Sequence, residues 1–116
     1  MRAVALRKRF VCPCCGYAEL DVPPYAGPAE AHLLHWQSPP YDLIAGEASY
    51  AVCPCCGFEF GNDDNPGTAV GASFEDYLAE WVADGMLWFD PSLKPEGWSL
   101  KDQLRAANIV GAKAIA

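Results

Sequence analysis

Val11-Cys12-Pro13-Cys14-Cys15-Gly16-Tyr17 returns 41 residues later as Val52-Cys53-Pro54-Cys55-Cys56-Gly57-Phe58, identical at six positions and aromatic at the seventh. Each copy contains C-P-x-C-G, the pattern of a zinc knuckle, in which two thiolates three positions apart reach one ion from a tight turn. Glycine after the second thiolate lets the backbone take positive φ beside the sulfurs. One such turn supplies two ligands, and a structural zinc site takes four in a tetrahedron. The repeat therefore predicts one four-cysteine site, Cys12, Cys15, Cys53 and Cys56, holding one Zn²⁺ per chain. Iron in the same thiolate cage is chemically permissible. A closed four-thiolate site keeps no open position for water, so metal-assisted hydrolysis is not implied. Simple buried cysteines would require neither the spacing nor the repeated Pro and Gly. A thioredoxin-type pair would open a helix, whereas Gly16 and Gly57 lead into β-like segments.

Cys14 and Cys55 fall between the proline and the second ligand of each turn, a position that generally points away from the ion. Three roles compete for them: apolar packing in a small cap, a redox-sensitive thiol pair that releases metal on oxidation, and ligation of a second soft metal.

The chain has 116 residues and a formal charge of −7, enough for one small domain in which a metal would contribute noticeably to stability. Arg2, Arg7, Lys8 and Arg9 are half of all the basic residues, so residues 1–9 form a basic segment and residues 10–116 a single cysteine-rich domain of net charge −11. Such a body repels the phosphate backbone that provides most non-specific nucleic-acid affinity, so nucleic acid is not an expected partner. No stretch approaches the ~20 apolar residues of a membrane helix, and the start lacks the apolar run of a secretory signal. The expectation is a cytoplasmic protein without a membrane partner, in a compartment where cysteines bind metals rather than form structural disulfides.

Between the knuckles, Pro28 to Trp36 reads as a short helix carrying His32 and His35 on one face, closed by Ser38-Pro39-Pro40. Two histidines three apart can bind zinc, but amphipathic or surface placement is the plainer reading. Ser49 to Val52 and Phe58 to Phe60 read as strands entering and leaving the second knuckle, followed by a solvated acidic turn at 61–67. Ser73 with Asp76, and Ser99 with Asp102, are helix starts. Phe74, Tyr77, Leu78, Trp81 and Val82 fall on one helical face that ends at Gly85, and Leu100, Leu104 and Ala107 give a weaker second face. The fold expected is α+β: a small zinc-ribbon-like β core from the two CPxCG knuckles, with the C-terminal helices packed against it.

The motifs CPCCGY at 12–17, DVPP at 21–24, SYAVCPCCGFEFGNDD at 49–64, FEDYLAEWVADGMLWF at 74–89 and KPEGWSLKDQL at 94–104 span most of the chain. In these it resembles the small cysteine-rich CPCC proteins found mainly in bacteria, a largely uncharacterised group. The resemblance implies a metal-binding cysteine-rich domain and lends no reaction. The segment with His32 and His35 is longer than the group's usual spacer.

No nucleophile paired with a general base is identifiable, so no catalytic residue is assigned. The sequence favours a small acidic structural-zinc protein acting as a protein-interaction module, through another protein or self-association. The alternatives are a nucleic-acid-binding zinc ribbon and a thiol redox or metal-homeostasis protein using Cys14 and Cys55. The run Met86-Leu87-Trp88-Phe89 has no alternation that would let a two-faced strand hide all four side chains. At least one of Trp88 and Phe89 is therefore expected at the edge of a partner-binding apolar patch.

Overall fold

The structure is a computed structural model that describes residues 8–27, 31–65 and 72–109. Among the described residues the helices are α1 (Ala31–His35), α2 (Asp42–Ala45), α3 (Phe74–Ala83) and α4 (Leu100–Ala106), with a 3₁₀ turn at Pro91–Leu93. Pro28, the expected first turn of the histidine helix, lies outside the described residues, as do the basic residues Arg2 and Arg7 and the end of the acidic turn beyond Asn65.

The expected α+β zinc-ribbon-like β core does not form. Among the described residues there is no sheet, only isolated antiparallel bridges at Phe10 with Leu20, Tyr25 with Ala48, and Val52 with Glu59. Backbone features limit two of these ladders. Pro23 and Pro24 follow the first bridge and cannot donate to a ladder. In the second knuckle Tyr50 takes φ 61°, a left-handed conformation no strand residue adopts, so the incoming arm is bent two residues before the bridge. Alternation survives without the strand: Phe58 and Phe60 are buried while Glu59 between them is partly exposed.

The C-terminal helices start where the sequence places them. Ser73 Oγ accepts from Asp76 N–H at 3.1 Å to cap α3, and Ser99 Oγ accepts from Asp102 N–H at 3.3 Å to cap α4. Both helices end alike. After α3, Gly85 sits at φ 110° while Gly85 N–H reaches Val82 O at 3.1 Å and Met86 N–H reaches Trp81 O at 3.0 Å. After α4, Asn108 at φ 63° donates to Arg105 O at 3.0 Å and Ile109 donates to Leu104 O at 2.9 Å. These paired bonds satisfy carbonyls the helix would leave open, and Ile109 is buried in the same core as Leu104.

Aromatic side chains do the packing that a sheet would otherwise do. The rings of Tyr41 and Phe74 stack at 3.9 Å, and Phe74 meets Phe58 edge-on at 5.0 Å. Tyr41 Oη accepts from Phe74 N–H at 2.9 Å and donates to Gln37 O at 3.3 Å, so one buried phenol ties the loop before α2 to the first residue of α3. On the other side Trp88 meets Tyr17 at 5.7 Å and Trp98 at 5.4 Å, both edge-on. Ring pairs of this geometry contribute about 0.5–1.5 kcal/mol each beyond the area they bury.

Two polar residues depart from the sequence expectation. Asp64, expected in a solvated turn, is buried and accepts from Tyr25 Oη and from Gly61 N–H at 2.8 Å. One donor within the turn and one from Tyr25, 39 residues away, draw the carboxylate inward, and burial with the Tyr25 bond pushes that phenol far above its ordinary value. His35 is 2% exposed, with neither ring nitrogen hydrogen-bonded. The described backbone of His32 is in α1 with it.

Burial lowers the His35 imidazole from its ordinary value, with Glu75 pulling weakly the other way. A depressed folded value means the unfolded chain binds the proton more readily. Stability is therefore complete above about pH 6.5 and falls as pH drops from there towards the folded value. Replacing His35 by Leu removes both the proton site and the unpartnered nitrogens. The expected result is a smaller loss of urea midpoint between pH 7.5 and pH 5.5 than in the unsubstituted protein, with about 1–3 kcal/mol greater stability at the lower pH. An unchanged pH dependence would contradict this.

Candidate metal centre

Each knuckle closes on itself through the same two backbone bonds. Gly16 N–H donates to Cys12 O at 2.8 Å and Gly57 N–H to Cys53 O at 2.9 Å; one bond outward, Cys12 N–H reaches Tyr17 O at 2.7 Å and Cys53 N–H reaches Phe58 O at 3.0 Å. Gly16 and Gly57 take φ 86° and 82°, so the sequence repeat is also a conformational repeat. At Gly16 a Cβ would sit 3.0 Å from Gln103 O and 3.2 Å from Ala107 Cβ, so glycine there also admits the close approach of α4.

The two turns meet sulfur to sulfur. Cys12 Sγ lies 3.9 Å from Cys56 Sγ, and Cys15 Sγ lies 3.7 Å from Cys53 Sγ. All four sulfurs are within 4.8 Å of one another, and all four residues are buried. A tetrahedron with metal–sulfur bonds of about 2.3 Å has edges of about 3.8 Å, and the Cys12–Cys56 and Cys15–Cys53 approaches match that edge. A disulfide would bring sulfurs to about 2.05 Å, and all six cysteines are free. These four cysteines can hold a metal ion, and the donor set is the soft, closed one suited to zinc or iron.

Burial sets the protonation preference of the four thiols. Burial pushes the Cys12 thiol up to about 12 and holds the Cys15 and Cys56 thiols well above their ordinary value. Burial acts upward on Cys53 as well, but hydrogen bonds from Cys12, Cys15 and Cys56 outweigh it and draw its thiol down. A metal binding these sulfurs would have to displace the protons that burial favours on them, so metal affinity falls as pH falls.

Cys14 and Cys55 are fully buried outside this set. Cys14 Sγ approaches Phe74 O at 3.5 Å, and Cys55 Sγ receives Gln103 Nε2 at 3.6 Å. They pack the knuckles against α3 and α4. His35 is not brought to the sulfurs, and the described clusters of potential metal ligands do not include it. Of the expected apolar edge, Trp88 is buried at 7% exposure while Phe89 is 65% and Leu87 76% exposed.

Residues that the motifs did not single out hold the cage in place. Gln103 Nε2 donates to Cys15 O at 3.0 Å as well as to Cys55 Sγ, and its Oε1 accepts from Trp98 Nε1 at 2.9 Å. One α4 side chain thus joins both knuckles. Tyr77 Oη donates to Cys56 O at 3.2 Å, while Phe89 and Asp90 N–H reach Cys55 O and Pro54 O at 3.1 and 2.8 Å. Gln103 carried a sequence signal: it stands three after Leu100 and four before Ala107, on the face that packs.

No protein-family model and no solved structure match the chain. Two uncharacterised proteins of Bacillus subtilis (strain 168) are similar to it. YoaQ is 29% identical over 103 residues, covering 78% of this chain and 72% of the relative. YozI is 24% identical over 99 residues, covering 77% and 69%. No helix among the described residues is long and apolar enough to cross a membrane.

Because four sulfurs form the cage and two pack outside it, single substitutions should separate the six cysteines into two classes. Cys12→Ser or Cys56→Ser should remove most of the metal found by elemental analysis and lower the thermal midpoint. Cys14→Ala or Cys55→Ala should retain the metal and cost about 1–3 kcal/mol of packing. Equal metal loss at all six positions would contradict the assignment.

Proposed function

We propose that this chain is a small acidic protein whose fold is fixed by one structural Zn²⁺ on Cys12, Cys15, Cys53 and Cys56, and that it works by binding another protein rather than by catalysis. The sulfur geometry supports this reading: four buried thiols lie within 4.8 Å of one another, and an ion held by all four would have no coordination position left for water or substrate. Zinc held this way can contribute on the order of 10 kcal/mol of apparent folding free energy, comparable with the whole stability of many small domains.

The contact surface follows from what the site leaves outside. Backbone bonds from Phe89 and Asp90 fasten their segment to the second knuckle, so the exposed side chains of Leu87 and Phe89 stand on a metal-pinned base. Exposed aromatic and aliphatic groups on rigid backbone bind with little ordering cost. The acidic composition favours a protein partner over nucleic acid. The resemblance to the CPCC proteins supports the metal and names no reaction.

A photo-crosslinking amino acid placed at position 89 tests the contact in the source cells. The expected result is a discrete protein adduct that disappears when Leu87 is replaced by Glu, in a variant that keeps its metal. Failure to form any adduct at position 89 while the same residue at exposed position 101 does so would contradict a partner surface there.

A further inference from the structure

Between the arms of the two knuckles lies an open groove of about 550 Å³, within the ~300–1,000 Å³ range of ligand sites. Its apolar walls are Leu20 and Val22 from the first arm, Val52 and Pro54 from the second, and Leu93 from the 3₁₀ turn; Arg9, Glu19 and Asp21 also line it. Val22 and Leu93 are 44% and 49% exposed.

The backbone along this groove is incompletely used. The Val52–Glu59 bridge is flanked by Cys53 N–H to Phe58 O and Phe60 N–H to Ala51 O, the pattern of a non-hydrogen-bonded antiparallel pair. In such a pair the N–H and C=O of Val52 point away from Glu59, and no described residue accepts or donates there. On the opposite arm Phe10 and Leu20 exchange both bonds, while the N–H and C=O of Glu19 and Asp21 make no backbone hydrogen bond to a described residue. Two short unpaired edges thus border one apolar cleft. The charge along it is also unbalanced: Arg9 pairs with both Glu19 and Asp21, leaving one surplus carboxylate in a chain of charge −7.

We infer that this groove receives an extended segment of a partner protein with basic residues alternating with apolar ones. The segment adds main-chain hydrogen bonds to the Val52 edge, buries its apolar side chains against Val22 and Leu93, and places its cations beside Glu19 and Asp21. Strand addition of this kind takes affinity from the backbone and specificity from alternate side chains. The inference rests on the protein-binding reading above but uses a different surface from Phe89, so either can fail alone.

The test is a titration of the ¹⁵N-labelled, zinc-loaded full chain with a blocked hexapeptide of alternating Val and Lys. Saturable shifts should centre on the amides of Glu19, Asp21 and Val52. Binding should weaken roughly tenfold or more when Glu replaces Lys in the peptide. It should be lost when alternate peptide amides are N-methylated on the edge-pairing side. Leu93→Asp and the double variant Glu19→Lys with Asp21→Lys should each retain one metal and lose binding, the first by polarity and the second by charge. No saturable shift, equal binding of the acidic peptide, shifts centred outside the groove, or concentration-dependent self-association through these same amides would each overturn the proposal.

Discussion

Four sulfurs from turns far apart in sequence must occupy one tetrahedron, and most of the molecule can be understood as the means of letting them do so. The cross-knuckle approaches join positions 44 and 38 residues apart, so closing the cage closes most of the N-terminal half into one loop. Loop closure of that length is entropically costly when made by weak contacts alone. A metal bound by four thiolates would offset the cost in a single event, and cation binding and folding would become one equilibrium.

The C-terminal half is the other side of that equilibrium. Gln103, Tyr77, Phe89 and Asp90 donate to carbonyls of the knuckles, satisfying backbone acceptors that tight turns leave unpaired. α3 and α4 are short, and neither would persist alone in water. They persist by burying Phe74, Leu78, Trp81, Leu100 and Leu104 in the core shared with the cysteines. Sulfur cluster and aromatic core therefore depend on one another: the knuckles position the carbonyls, and the helices keep water from the sulfurs.

What could be read from residues alone was whatever depends on local chemistry. The duplicated knuckle, both serine caps and the apolar face of α3 are short-range patterns, and each appears in the structure where its residues stand. Alternation at Phe58 to Phe60 describes which side chains are buried, not whether a second strand is present to pair. Tyr50 at positive φ gives no sequence warning, since tyrosine is a strand-favouring residue. The inward Asp64 depends on Tyr25, 39 residues away, and the Gln103 clamp depends on Cys15, 88 residues away; neither pairing has a local signature. The midpoint cysteines were ambiguous for the same reason, as only the approach of α3 and α4 puts Cys14 and Cys55 into packing contacts.

With no sheet among the described residues, the four-sulfur cluster carries a larger share of the architecture than in a domain with a continuous ladder. Three single bridges cannot hold the arms in register, so the positions of the groove walls and of Phe89 both trace back to the sulfur cage. Zinc K-edge X-ray absorption on protein purified without added metal tests that claim most directly. The account predicts one shell of four sulfurs at about 2.3 Å with no lighter donor. A first shell containing nitrogen or oxygen, or cysteines oxidised to disulfides with no bound metal, would contradict it.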